Sequence, residues 1–247
     1  MTRLKLLYGF HAVTARLSAS PATVDEVWYD PTRRDARMRA FLHLAAAVNM
    51  RLTAADAARL NALTGDERHQ GVVARVADAP RAHSLESLLS TIEGPPLLLV
   101  LDGVTDPHNL GACLRVAAGA GAHAVIAPRR RAAGLTATAA KAASGAAETI
   151  PYLTVTNLVR ALRELKDAGI QVIGTASDAT TRLFDVQLSG ALALVMGAEG
   201  AGLRRLTREQ CDGVARIPLA GHVESLNVSV ASGICLFEAV RQRLKRI

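Results

Sequence analysis

Three short stretches carry residue types and spacings able to do chemistry. In Asp102-Gly103-Val104-Thr105-Asp106-Pro107-His108-Asn109-Leu110-Gly111-Ala112-Cys113-Leu114-Arg115, an apolar run ends in a polar loop that leads into a helix. Asn109 is expected to cap that helix, with Arg115 roughly two turns further in on the cap's side. Helix-start amides beside a guanidinium make a cradle for a phosphate. In Met196-Gly197-Ala198-Glu199-Gly200-Ala201-Gly202, one carboxylate stands among glycines that let backbone approach a ligand closely. Glu199 there could accept hydrogen bonds from a ligand or orient a catalytic group. The third stretch runs from a strand-like Val214-Ala215-Arg216-Ile217-Pro218 through a polar turn to the helix signal Ser225-Leu226-Asn227-Val228-Ser229.

Each stretch also has a plainer reading. Arg115 serves equally as a surface residue, and Glu199 could simply cap a following helix at Leu203. His222, in Gly221-His222-Val223-Glu224-Ser225, has the chemistry of a general base, but a lone loop histidine is usually only solvated. Gly119-Ala120-Gly121-Ala122-His123-Ala124 matches a relaxed dinucleotide fingerprint in the wrong context, after a helix and before a strand. With no phosphate-loop lysine motif, no metalloprotease helix and no paired metal-ligand spacing, neither ATP hydrolysis nor a metal site is expected.

Bulk composition narrows the field. The 247 residues are half hydrophobic, enough for one large or two small domains. A net charge of +7, from 29 basic and 22 acidic residues, favours a polyanionic partner, although an ordinary basic enzyme fits as well. Aromatics make up only 3 %, too few to stack successive bases, so phosphate contacts and shape should dominate any RNA binding. Cys113, Cys211 and Cys235 are odd in number and widely spaced, which suggests no disulfide framework and suits a reducing cytoplasm. No apolar run reaches the ~18 residues that read as a membrane span.

The elements that must position these groups follow from apolar periodicity. Residues 1–77 read as a small mixed α/β unit: a strand or turn over 4–10, a helix through Val13 and Leu17, and a strand Val24 to Tyr29. Helices over 33–49 and 54–63 and a strand over 71–76 complete it. Arg34, Arg37 and Arg39 beside the first of those longer helices read as a solvated face or as phosphate contacts. Residues 78–96 shift to Pro, Ser, His and Gly and read as a linker holding a short helix from Ser84 to Ile92. From 97 to 247, strand-like and helical runs alternate: strands near 97–101, 124–127, 172–176, 192–196 and 214–217, helices near 109–118, 136–147, 158–166 and 228–246. That alternation predicts an α/β domain with a parallel sheet covered on both faces.

Taken together, Asn109-x-Gly111-x-x-x-Arg115, Met196-Gly197-Ala198-Glu199-Gly200, and Ile217-Pro218 with Ser225-Leu226-Asn227-Val228-Ser229 resemble the three motifs of the SpoU/TrmH class of SPOUT RNA 2′-O-ribose methyltransferases. The resemblance extends through Tyr8-Gly9-Phe10-His11-Ala12-Val13 and Gln70-Gly71-Val72-Val73-Ala74 to Gly233 through Gln242, and so spans essentially the whole chain. It implies a carboxy-terminal methyltransferase domain whose parallel sheet is closed by a trefoil knot, an exception to unthreaded chains. It also implies a small ribosomal-protein-like RNA-binding domain at the amino terminus.

By the same resemblance, Thr175, Met196, Gly197, Gly200, Ile217, Leu219 and Leu226 line a pocket for S-adenosyl-L-methionine. Asn109, Arg115, Glu199, Ser225 and Asn227 take the polar catalytic positions. The implied substrate is a guanosine ribose in the peptidyl-transferase region of 23S ribosomal RNA, free or in a large-subunit precursor. The implied protein is a cytoplasmic homodimer, joined through its carboxy-terminal domains, with no membrane or DNA partner. His222 and Glu224 depart from a loop that is usually small and polar. Because arginine releases its proton so reluctantly, Arg115 is read as a phosphate clamp and the base stays open. The same chemistry on transfer RNA and a catalytically silent RNA-binding or ribosome-assembly protein are the alternatives.

Overall fold

The structure, a computed structural model, describes residues 4–77 and 84–244. They form two compact units, one built on 4–77 together with 144–149, the other on 84–143 and 150–244.

In the first unit the order is β1 (Leu4–Tyr8), α1 (Phe10–Ala19), β2 (Val24–Tyr29), α2 (Ala36–Ala47), β3 (Leu52–Ala54), α3 (Ala57–Thr64) and β4 (Val72–Ala77). β4, rich in β-branched residues, lies between β1 and β2 and is antiparallel to both, while β3 extends the edge parallel to β2. Phe10, Val13 and Leu17 of α1 and Met38, Phe41 and Ala45 of α2 bury one face of this sheet against Val27, Val72 and Ala74. Asp35 and Asp56 cap α2 and α3 by accepting first-turn N–H groups, and Gly65, at φ 64°, ends α3. Arg34, just before the α2 cap, and Arg37 and Arg39 on α2 are exposed. The segment 144–149 brings Glu148 to Arg16, whose buried guanidinium also donates to the Ala77 carbonyl at 3.2 Å.

The second unit runs α4 (Leu85–Leu89), β5 (Leu97–Asp102), α5 (Pro107–Gly119), β6 (Ala124–Pro128), α6 (Ala137–Ala142), β7 (Tyr152–Val155) and α7 (Leu158–Asp167). It continues through β8 (Gln171–Thr175), β9 (Thr181–Arg182), β10 (Leu192–Gly197), α8 (Arg205–Gln210), β11 (Gly213–Arg216) and α9 (Val228–Leu244). The sheet is parallel throughout, in the order β7-β6-β5-β10-β8-β11-β9. β5 and β10 are buried along nearly their whole length, which explains why they read as continuous apolar runs. Leu98, Val100, Ala193 and Val195 meet α4 and α7 through Leu85, Leu88, Leu158, Leu162 and Leu165. By alternation Leu97, Leu99 and Leu101 face the other way. α5 and α9 pack on each other there, with Cys113 Sγ 3.7 Å from Ser232 Oγ.

The structure departs from the sequence-based expectations at several points. Leu85 and Leu88 are buried in the second unit's core, so residues 84–96 of the expected linker belong to that unit. Residues 78–83 of the same stretch, and 245–246 of the expected last helix, lie outside the described residues. The helix expected over 136–147 stops at Ala142, because Ser144 (φ 49°) and Gly145 (φ 90°) both turn left-handed. A Cβ on Gly145 would stand 2.5 Å from the His11 carbonyl oxygen, so only glycine fits that approach. β3, β7 and β9 are too short to show a period of their own and are absent from the sequence reading, and the helix expected at Leu203 starts at Arg205 as α8.

Candidate active site

Because β5, β10 and β8 are parallel neighbours, their carboxyl ends deliver three loops to one edge of the sheet. The register sets Gly197 of β10 against Asp102 of β5. Beyond Gly197 the chain doubles back, with Ala198 and Gly202 exchanging hydrogen bonds at 3.1 and 2.9 Å and with Gly200 and Gly202 at positive φ. A Cβ on Gly197 would lie 2.2 Å from the Gly202 carbonyl carbon and 2.4 Å from Leu203 N. That glycine is therefore required by the turn's own packing, while Cβ atoms at Gly200 and Gly202 would meet open space. Asp102, 1 % exposed, anchors the far end of the turn by accepting the Arg204 N–H at 2.9 Å.

The turn carries Glu199 to the two other polar stretches. Glu199 Oε1 accepts Asn227 Nδ2 at 2.8 Å and Asn109 Nδ2 at 3.0 Å. Asn227 Nδ2 also reaches Asn109 Oδ1 at 2.9 Å. Asn227 Oδ1 is occupied by the Ser229 N–H and hydroxyl at 2.9 and 2.6 Å, which directs its amide nitrogen toward Glu199. Asn227 thus caps α9 and orders the carboxylate with one side chain. Asn109 does not cap α5. Asp106 holds that position, accepting the His108 N–H at 2.9 Å with Pro107 opening the helix, and Asn109 sits inside the first turn, free to face Glu199. Glu199 caps no helix: α8 starts only at Arg205, without a side-chain cap.

Beside this network lies a cleft of 260 Å³. Thr175, Met196, Gly197, Gly200, Ile217, Leu219 and Leu226 all border it, together with Glu199 and Ser225. Ser177, beyond β8, and Val228 and Ala231 of α9 border it too; the end of a parallel strand was the signal available for Ser177. The charged residues of the lining are Glu199 and Glu224, with no lysine or arginine. Apolar walls, loop backbone and negative charge match a phosphate-free nucleoside bearing a cation, as S-adenosylmethionine does, and match a nucleotide polyphosphate poorly. Arg115 is exposed on α5, borders no part of the cleft and has no polar side-chain partner among the described residues. His222 is exposed and outside the lining.

Burial pushes the thiols of Cys113 and Cys211 up to about 11 and that of Cys235 up to about 12, so they remain protonated at neutral pH. Among the described residues no cluster of His, Cys, Asp and Glu could hold a metal, and no helix is long and apolar enough to cross a membrane.

Residues 96–237 match the SpoU rRNA Methylase family, and residues 6–82 match the family described as RNA 2′-O ribose methyltransferase substrate binding. A Burkholderia protein named 23S rRNA (guanosine-2′-O-)-methyltransferase RlmB is 83% identical over 247 residues, covering 100% of both chains. The protein of that name from Ralstonia nicotianae is 62% identical, covering 98% of each chain. Among solved structures, the SpoU methyltransferase AviRb from Streptomyces viridochromogenes, in complex with the cofactor AdoMet, aligns with a TM-score of 0.74 at 27% identity. That alignment covers 98% of this chain and 91% of AviRb. On motif order, parallel-sheet fold and sequence match together, the chain belongs to the SpoU rRNA methylase family.

Proposed function

We propose that this chain is an S-adenosylmethionine-dependent methyltransferase acting on the 2′-oxygen of a guanosine ribose in 23S ribosomal RNA, in the peptidyl-transferase region. The observation that carries the reading is the Asn109, Glu199 and Asn227 network held at the rim of a cleft suited to the cofactor. When bound, S-adenosylmethionine supplies an electrophilic methyl group; Thr175, Met196, Gly197, Gly200, Ile217, Leu219 and Leu226 hold it. Glu199, ordered through Oε1 by Asn227 and Asn109, presents its other carboxylate oxygen to the ribose, and Ser225 borders the same space. Arg115 clamps a substrate phosphate, its guanidinium offsetting charge that builds on the attacking oxygen.

Arg115 reaches this work from the neighbouring subunit of a homodimer. Two observations support the arrangement: Arg115 stands apart from its own chain's cleft, and α9, packed beside α5, exposes Val230, Phe237 and Leu244 two turns apart along one side. A two-fold axis then makes both sites composite. The carboxy-terminal domain is trefoil-knotted, residues 1–77 bind the RNA substrate, and the protein works in the cytoplasm without membrane or DNA partners.

Mapping 2′-O-methyl groups on 23S ribosomal RNA from cells with and without this protein tests the reading. One guanosine should lose its methyl group without it. Unchanged ribosomal RNA, with labelled methyl entering transfer RNA instead, would sink the proposed substrate.

A further inference from the structure

A second cleft, of 610 Å³, opens where β6, β7 and the start of α8 meet, and its chemistry is the inverse of the first. Arg130, Arg131, Arg204 and Arg205 line it, with Thr156, Asn157 and Thr207 as polar neutral groups and no carboxylate. Arg204 lies 3.5 Å from buried Asp102, and Arg205 pairs with Glu209 on α8. Arg130 and Arg131 are exposed and have no polar side-chain partner among the described residues. A concave surface with this much uncompensated guanidinium charge suits phosphate oxygens spaced along a chain, since each planar fork can meet one phosphate bidentately.

The position is as informative as the charge. β6 and β7 stand two and three strands from β10, about 10 and 14 Å away at ~4.8 Å per strand, and all three end at the same edge of the sheet. Arg204 follows directly on the glycine turn that carries Glu199, and its guanidinium would lie 3.3 Å from a Cβ on Gly103. A nucleic acid strand whose ribose lay at Glu199 would pass its flanking phosphates along this cleft within a few nucleotides.

We propose that the Arg130, Arg131, Arg204 and Arg205 cleft is a phosphodiester-binding groove of the catalytic unit, holding single-stranded RNA next to the methylated ribose. Arg130 and Arg131 provide its uncompensated charge, and Asp102 positions Arg204. The inference rests on the methyltransferase reading for what the strand is doing there, but not for the binding itself.

The test uses the full chain with Arg130→Gln and Arg131→Gln together, and Arg160→Gln as an exposed control on α7 outside the cleft. Affinity for polyuridylic acid and for a 23S ribosomal RNA transcript is measured across a salt series. Losing two phosphate contacts should flatten the slope of log K against log salt by about 1.4, at roughly 0.7 per contact on a single strand. The control should leave the slope unchanged. With the ribosomal transcript, the KM for RNA should rise several-fold while kcat and the Kd for S-adenosylmethionine hold, and Arg130→Lys with Arg131→Lys should restore the slope. A double glutamine variant that binds both RNAs like the parent, with the same slope, would overturn the groove. A flattened slope on polyuridylic acid, in a protein that never methylates the ribosomal transcript, would keep the groove and remove the substrate reading instead.

Discussion

Asn227 Nδ2 stands 2.8 Å from Glu199 Oε1, joining the cap of the last helix to the carboxylate of the glycine turn. Since Glu199 also receives the Asn109 amide, one carboxylate holds three chain segments in register at the rim of the cleft proposed for the cofactor.

Removing that carboxylate should therefore disorder the site without unfolding the protein. Glu199→Ala is expected to lower kcat/KM about 10- to 100-fold, the equivalent of one hydrogen bond to a charged group at roughly 1.5–3 kcal/mol. Glu199 is exposed, so the melting temperature should change little. Single-turnover methylation beside a thermal melt gives both quantities, and parental activity would mean the network is ornamental to the reaction.

Glycines in one turn should differ in tolerance. Gly197→Ala would drive a Cβ into the Gly202 backbone and should abolish binding of S-adenosylmethionine. Gly200→Ala meets only open space and pays a left-handed backbone cost of about 1–2 kcal/mol, so binding should survive with modest loss of stability. Calorimetric titration of both variants with the cofactor decides it; equal tolerance would mean the turn is not the tight one described.

Ownership of Arg115 can be read by complementation. Arg115→Ala and Asn227→Ala homodimers should each be nearly inactive, whereas a mixed dimer keeps one complete site and should run at about half the parental rate. Co-expression with two different tags and purification through both isolates the mixed species. A mixed dimer as inactive as its parents, yet binding cofactor normally, would place Arg115 in its own chain's site.

The thiols should be silent in the native protein. With pKa values raised to about 11 and 12, Cys113, Cys211 and Cys235 are neutral at pH 8 and become reactive only above their raised pKa or on unfolding. Iodoacetamide at pH 8 followed by mass spectrometry should find no adduct before denaturation and three after it. Rapid native labelling of Cys113 or Cys235 would contradict their burial, and of half-buried Cys211 its raised pKa.

In the first unit, Arg16 and Glu148 form a pair whose side chains are 1% and 5% exposed. Arg16→Ala leaves Glu148 with only the half-exposed Lys5, 3.3 Å from its Oε1, and should cost about 2–3 kcal/mol, whereas Arg160→Ala, from an exposed pair, should cost under ~1 kcal/mol. Urea denaturation separates the two. Similar midpoints for both variants would mean that Lys5 alone suffices to hold the Glu148 carboxylate.

What the sequence by itself determined was local. Continuous apolar runs marked β5 and β10 because a parallel strand buried on both faces needs no polar side. A cap signal at Ser225 to Ser229 placed the start of the last helix, and the glycines around Glu199 announced a tight turn. Motif order disclosed the family, since the short stretches are diagnostic in combination. Tertiary structure alone decided the encounters. Asn109 and Glu199 are separated by 90 positions, and only the insertion of β10 between β5 and β8 sets their loops side by side. Local sequence assigned Asn109 to a cap because its type suits one, yet Asp106 and Pro107 occupy the helix start and release Asn109 toward the carboxylate. The arginine cleft was equally invisible, because Arg130 and Arg204 become neighbours only through strand order. Periodicity reports which face of an element is buried; which elements then meet depends on long-range pairing, whose register no local pattern encodes.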